Sequence, residues 1–229
     1  IDDGKLNYKS HYKMPAPQLE TENCVAHNGS IIPVPGRDIF IQAWYQGGIS
    51  VIDFTDSSNP VEIAYFDRGP INETELVSGG FWSVYYYEGI IYGTEIVRGL
   101  DVLELLPSEF ISENEISAAK QAYPTVGPNR LFNPQQQVPM SWPNTAELAG
   151  AYLDQLVRSN TVTENNAAQL QLLLDRAGAE DVSKSSKALA RQIDQFKISV
   201  KVDDVDDKTK DRLSQLKRAL KAISSDLKA

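Results

Sequence analysis

The sequence predicts an all-β part followed by an all-α part, and three observations carry that expectation. Residues 1–143 hold short runs of β-branched and aromatic residues cut by Gly, Pro and Asn, whereas 144–229 are rich in Ala, Leu, Lys and Gln and contain no proline. Charge divides at the same place: 8 Lys+Arg stand against 18 Asp+Glu in 1–143, a net of −10, and 14 against 13 in 144–229, a net of +1. Between the two, the prolines from Pro124 to Pro143 forbid continuous helix and disfavour a central strand. The expected boundaries are a β part with a short terminal helix over 1–122, a Pro-rich linker over 123–143 and a helical bundle over 144–229.

Turn residues bound each strand in the β part. The first strand is expected at Asn23–Asn28, closed by Asn28-Gly29-Ser30. Pro35-Gly36 opens Asp38–Trp44, Gln46-Gly47 opens Gly48–Phe54, and Ser57-Ser58-Asn59-Pro60 opens Val61–Phe66. Four short strands joined by tight turns make an antiparallel meander. A second set is expected at Gly80–Tyr86, Gly89–Glu95 and Gly99–Leu105. Placing Gly48 on Gly99 sets an offset of 51 residues, which puts Ile39 on Ile90, Ile49 on Leu100 and Val51 on Val102. A period of roughly 40–50 residues with four strands per unit is the mark of β-propeller blades. The β part is therefore expected to be a partial propeller of fewer than three antiparallel blades, the other reading being two meanders of a sandwich. On the propeller reading Leu6–Met14 is an outer strand of a preceding blade. The chain is then the C-terminal portion of a longer protein, and its nearest partners are upstream blades of that same protein.

The turn after the third strand has its own chemistry. Asp53 and Asp56 flank it, where carboxylates accept backbone N–H groups, and Pro60 sits where a strand tolerates proline, at its first position. The run Ile49–Glu62, with its apolar strand, Asp53-x-x-Asp56 turn and Asn59-Pro60 pair, resembles the LVIVD repeat. The second copy departs from it, with Glu104 in place of the first Asp and Pro107-Ser108-Glu109 in place of the turn. The resemblance implies a β-propeller of exported bacterial and archaeal proteins with no agreed enzymatic activity. It places the chain outside the cell or in the periplasm, as part of the envelope.

The helical elements follow from caps and spacing. Ser112 with Glu115 is a capping box for a short helix to Lys120. Asn144 or Thr145 starts a helix with Leu148, Tyr152, Leu153 and Leu156 on one side. Thr163 caps the next, which carries Ala167, Leu170, Leu173 and Leu174 and is expected to stop at Gly178 as a C-cap glycine. A third is expected from about Ser183 with Leu189, Ile193, Phe196 and Val200, and a fourth after Asp206-Asp207 with Leu213, Leu216, Leu220, Ile223 and Leu227. Spacings of three and four give each helix one apolar stripe, so four helices make an antiparallel bundle. The Leu213–Leu227 stripe reads either as bundle core or as a partner-binding surface. Leu148–Tyr152, Ala167–Leu174 and Ile193–Phe196 are faintly similar to the FIMAH domain, which implies association outside the cell.

Candidate chemistry is sparse. The aromatic and charged residues His27, Trp44, Tyr45, Trp82, Glu95 and Arg98 are the candidate ligand-binding set: Trp and Tyr at strand ends can stack on a carbohydrate or peptide, or else fill the core. Glu22, Cys24 and His27 are the candidate metal set, for copper or zinc, although strand alternation puts Glu22 and Cys24 on one face and His27 on the other. His27 also reads as a hydrogen-bonded structural residue. Asp53, Asp56, Asn59, Pro60, Gly48 and Gly99 are read as structural. One cysteine excludes an internal disulfide and a multi-thiolate zinc site. Phosphate-binding glycine loops, HExxH and GxSxG are lacking, and two histidines leave no credible catalytic triad. A net charge of −9 disfavours nucleic acid, and no apolar run is long enough to span a membrane. The function expected is a non-catalytic binding or scaffold protein of the cell exterior, taking an envelope protein or a carbohydrate. The alternative is an oxidase-like metalloenzyme with a metal at His27 near the propeller axis.

Overall fold

The computed structural model describes residues 4–125, 138–179, 186–200 and 205–229. They form two compact units, one of Ile1–Leu105 with Pro124–Pro139 and one of Leu106–Tyr123 with Met140–Ala229. Most of the expected linker, 126–137, lies outside the described residues.

The first unit holds two antiparallel sheets. Strands β1 (Gly29–Ile32), β2 (Ile39–Ala43), β3 (Ile49–Asp53) and β4 (Val61–Phe66) pair in chain order, and so do β5 (Phe81–Tyr87), β6 (Ile90–Glu95) and β7 (Gly99–Glu104). Six of the seven strands stand within a residue or two of expectation. The first does not: β1 begins where the turn was expected. Gly29 lies beneath the Phe40 ring, and an added Cβ would sit 2.2 Å from the Ile41 carbonyl oxygen. That glycine serves close packing inside the strand, and the turn falls at Pro33–Asp38, where Gly36 takes φ +72°. Leu6–Met14 forms no strand. It is tied down by side chains, Ser10 Oγ donating to the Ser57 carbonyl at 2.7 Å and the Tyr12 hydroxyl to Glu62 at 2.9 Å.

The 51-residue offset survives in the hydrogen-bond register. The β2–β3 pairs Ile39 with Asp53, Phe40 with Ile52 and Ile41 with Val51 recur in β6–β7 as Ile90 with Glu104, Ile91 with Leu103 and Tyr92 with Val102. The first hairpins differ, because Glu88 and Gly89, both at positive φ, close β5–β6 in a tight two-residue turn.

The two sheets stack through different faces. β5 packs on β1 and β2, and the Tyr86 N–H donates to Ser30 Oγ at 3.1 Å. Ile49 and Val51 are each 3% exposed, whereas Leu100 and Val102, their counterparts 51 residues on, are 60% and 58% exposed. The second sheet turns its opposite face inward: a Cβ on Gly93 would come 2.7 Å from the Phe81 ring and 3.1 Å from Ile49 Cδ1. Arg68 ties the pair together, its guanidinium lying over the Phe66 and Phe81 rings and bonding Asp101. The face of the first sheet that carries Ile49 thus meets the face of the second that carries Gly93.

The second unit is helical. It contains α1 (Glu113–Lys120), α2 (Ala146–Arg158), α3 (Glu164–Gly178), α4 (Ser186–Gln195) and α5 (Asp207–Asp226). Ser112, Thr145, Thr163 and Asp206 each accept a backbone N–H of the helix they precede, and Ser112 with Glu115 completes the capping box. Leu153, Leu156, Leu170, Leu174, Leu189 and Leu216 are buried in one core, so the α5 stripe is core rather than free surface.

Three expectations change in this unit. α1 belongs to it and not to the β part, because Arg158 grips the fully buried Glu115 with two bonds, at 2.6 and 3.1 Å. Gly178 is the last helical residue without a positive φ, and Ala179 leaves in extended backbone. α4 ends at Gln195, so Phe196 and Val200 lie beyond it, and Val200 bridges to Val162; its expected start at Ser183 lies outside the described residues. A two-residue ladder between Tyr123–Pro124 and Met140–Ser141 completes the described strands.

Candidate functional site

Three of the six expected ligand-binding residues gather at one end of the β unit. The β2–β3 turn places Tyr45 at φ +52°, a left-handed conformation that a bulky side chain adopts at a cost of about 1 kcal/mol. The strain is held by a two-way bridge: the Tyr45 N–H donates to the Phe81 carbonyl at 3.2 Å, and the Phe81 N–H to the Tyr45 carbonyl at 2.8 Å. Gly80 makes that bridge possible. It takes φ +90°, and a Cβ there would lie 2.0 Å from the Tyr45 carbonyl carbon.

Immediately after Phe81 the β5–β6 register slips, leaving Trp82 without a cross-strand partner. A bulge re-aims the side chain it carries, and Trp82 is 52% exposed. His27, just ahead of β1, bonds through Nδ1 to the Trp82 carbonyl oxygen at 2.5 Å. Its ring lies 4.3 Å from the indole and 5.0 Å, edge-on, from Tyr45; Tyr45 and Trp82 are 6.0 Å apart at 87°. The result is a partly exposed aromatic cluster on fixed backbone.

The other three expected residues serve the scaffold. Buried Glu95 accepts the backbone N–H groups of Gly80, Val97 and Arg98. Its carboxylate anchors the Gly80 turn and is not offered to a ligand. Arg98 directs its guanidinium to the Pro70 carbonyl oxygen at 3.3 Å. Trp44 points away from Tyr45: its indole N–H donates to Ser50 Oγ at 3.0 Å, and Ser50 and Tyr12 both donate to Glu62. Burial, the largest influence, together with the Glu62 carboxylate pushes the Tyr12 hydroxyl up to about 12.

The candidate metal set is not assembled. Glu22 accepts the Leu19 N–H at 2.9 Å, while Cys24 packs against Gly47, whose added Cβ would be 3.1 Å from the sulfur. Burial, then the nearby Glu22 and Asp67 charges, push the Cys24 thiol up to about 11. Among the described residues no group of three or more His, Cys, Asp and Glu side chains is arranged to hold a metal ion.

The structural motif behaves as its chemistry predicts. Asp53 accepts the Thr55 N–H and pairs with buried Arg37 at 2.6 Å, and Asp56 accepts the Ser58 N–H. Burial raises the Asp53 carboxyl, but the Thr55 and Arg37 hydrogen bonds and the Arg37 charge outweigh it and hold it below the ordinary carboxylate range. Gln46 is the residue that sequence reasoning missed. Buried beside Tyr45, it accepts the Ile71 N–H and donates to the Val77 carbonyl, both at 2.8 Å, and so clamps the segment leading to Gly80. A polar residue in a turn carries no sequence signal for such a role. The chain matches no protein-family model, no curated protein and no solved structure.

Proposed function

We propose that this chain is a non-catalytic binding protein of the cell exterior, built on consecutive blades of an LVIVD-type β-propeller and using His27, Tyr45 and Trp82 to stack against a carbohydrate ring. The observation that carries the binding reading is the half-exposed Trp82, braced by two aromatic neighbours on a bulge that the Tyr45–Phe81 bridge holds in place. Exposed aromatic faces with polar tips are suited to ligands that present both C–H faces and hydroxyls.

The propeller reading is supported by the repeated register and by the stacking of the two sheets through different faces. In a rotational repeat, each sheet offers one face to the blade before it and the opposite face to the blade after it. The face carrying Leu100 and Val102 is then the place for a further blade, as the second sheet covers Ile49 and Val51.

Calorimetric titration of the chain with a panel of neutral hexasaccharides tests the reading. At least one is expected to bind, with Trp82→Ala weakening it on the order of tenfold and Trp44→Phe leaving it unchanged. A panel without a binder, or binding indifferent to Trp82→Ala, overturns it.

A further inference from the structure

The helical unit contains an open groove of about 670 Å³, within the size range of small-molecule sites. Its lining comes from the end of α4 (Ile193, Asp194), the segment after it (Phe196, Lys197, Ile198) and one face of α5 (Lys217, Leu220, Lys221). Ile193 and Leu220 form a buried floor, with the partly buried Phe196 and Ile198 beside them. The rim is cationic. Lys197, Lys217 and Lys221 are exposed, and no salt bridge among the described residues involves any of them. Among the described residues that line it the one carboxylate, Asp194, is engaged by Lys228 at 2.6 Å.

This arrangement is not what helix formation requires. Lys217 and Lys221 stand four residues apart on the same face, where like charges destabilise a helix. The helix dipole favours cations only in the last turn, and Lys217 is more than two turns from the end of α5 at Asp226. Three ammonium groups with no ion-pair partner among the described residues, set around an apolar floor, are also out of keeping with a chain of net charge −9. Their charge is complementary to an anion, and the floor to an apolar body.

We propose that this groove binds a small anionic amphiphile, an aliphatic chain or ring bearing a carboxylate, sulfate or phosphate. The apolar body lies on Phe196, Ile198 and Leu220, and the head group is held by Lys217 and Lys221 with Lys197 at the side. Lysine suits this task as a point charge with three donors on a flexible stem, which adapts to different anionic heads.

The probe is sodium decanoate, titrated below its micelle concentration into the full chain and followed by amide chemical shifts. Decanol and an acidic peptide serve as comparison ligands, and anionic vesicles as a separate arm. Decanoate is expected to bind one-to-one and to shift residues of α4 and α5 around the groove, with decanol weaker on the order of tenfold. Lys217→Gln with Lys221→Gln is expected to weaken decanoate by a similar factor, and Lys217→Arg with Lys221→Arg to retain it. Both pairs are surface changes, so unaltered helical circular dichroism verifies the fold. Equal binding of decanoate and decanol, or an unaffected Gln variant, overturns the proposal. So does binding to vesicles or to the acidic peptide without binding to monomeric decanoate.

Discussion

Tyr45 holds φ at +52° in a turn where glycine or asparagine would sit more easily, and its ring packs edge-on against His27. Tyr45→Asn is expected to alter stability by no more than about 1 kcal/mol, since asparagine tolerates the left-handed region, while removing the edge-on contact to His27. Urea unfolding measures this, and a loss above about 2 kcal/mol would mean that the ring carries the fold rather than the site. Cys24 gives a prediction of a different kind. With its thiol pushed up to about 11, alkylation by iodoacetamide at pH 8 is expected to run at least about tenfold slower in the native protein than in the unfolded chain. Its rate should climb only as pH approaches that value; equal native and unfolded rates would show an ordinary thiol. Residue types at the site were legible in the sequence, but their directions were not. Trp44 and Tyr45 are adjacent and both read as candidates, yet the left-handed turn sends one to the Glu62 network and the other to His27. Glu95 and Arg98 read either as a pair across a turn or as lining of the propeller face, and nothing in their spacing reveals three backbone donors converging on one buried carboxylate.

Among elements, strands closed by Gly or Pro turns and helices opened by Ser, Thr or Asp caps stand where their punctuation puts them. The exceptions have physical causes. Gly29 looked like a turn residue and is a packing residue, the space under Phe40 being too small for a side chain. Val200 continued the stripe of α4 by spacing alone, and periodicity cannot tell where a helix without a C-cap stops. The matched strands also allow a paired test of stacking. Val51→Ala is expected to destabilise the chain by about 1–3 kcal/mol, as for a buried methyl-bearing side chain, and Val102→Ala by less than about 0.5 kcal/mol. Chemical denaturation of the two variants reads the difference directly. Equal losses would mean that something covers the Leu100–Val102 face in this chain.

At the scale of the whole molecule, the division into a β part and a helical part was readable from charge and proline content, whereas the side to which α1 belongs was not. Capping signals locate a helix but say nothing of its partner; the Glu115–Arg158 pair, 43 residues apart in sequence, decides it. Each unit has its own core, so core truncations are expected to act separately. Leu216→Ala should destabilise the unfolding transition seen at 222 nm, and Ile41→Ala the one seen in the near-ultraviolet aromatic signal, each by about 2–4 kcal/mol. Identical shifts of both signals by either variant would show a single cooperative unit. The claim on which the functional account rests is that Trp82, alone among the three tryptophans, meets the ligand. Proton–nitrogen correlation spectra resolve the three indole N–H signals during titration with the hexasaccharide that binds. The account predicts that the Trp82 signal moves while those of Trp44 and Trp142 stay; a stationary Trp82 signal at saturating ligand contradicts it.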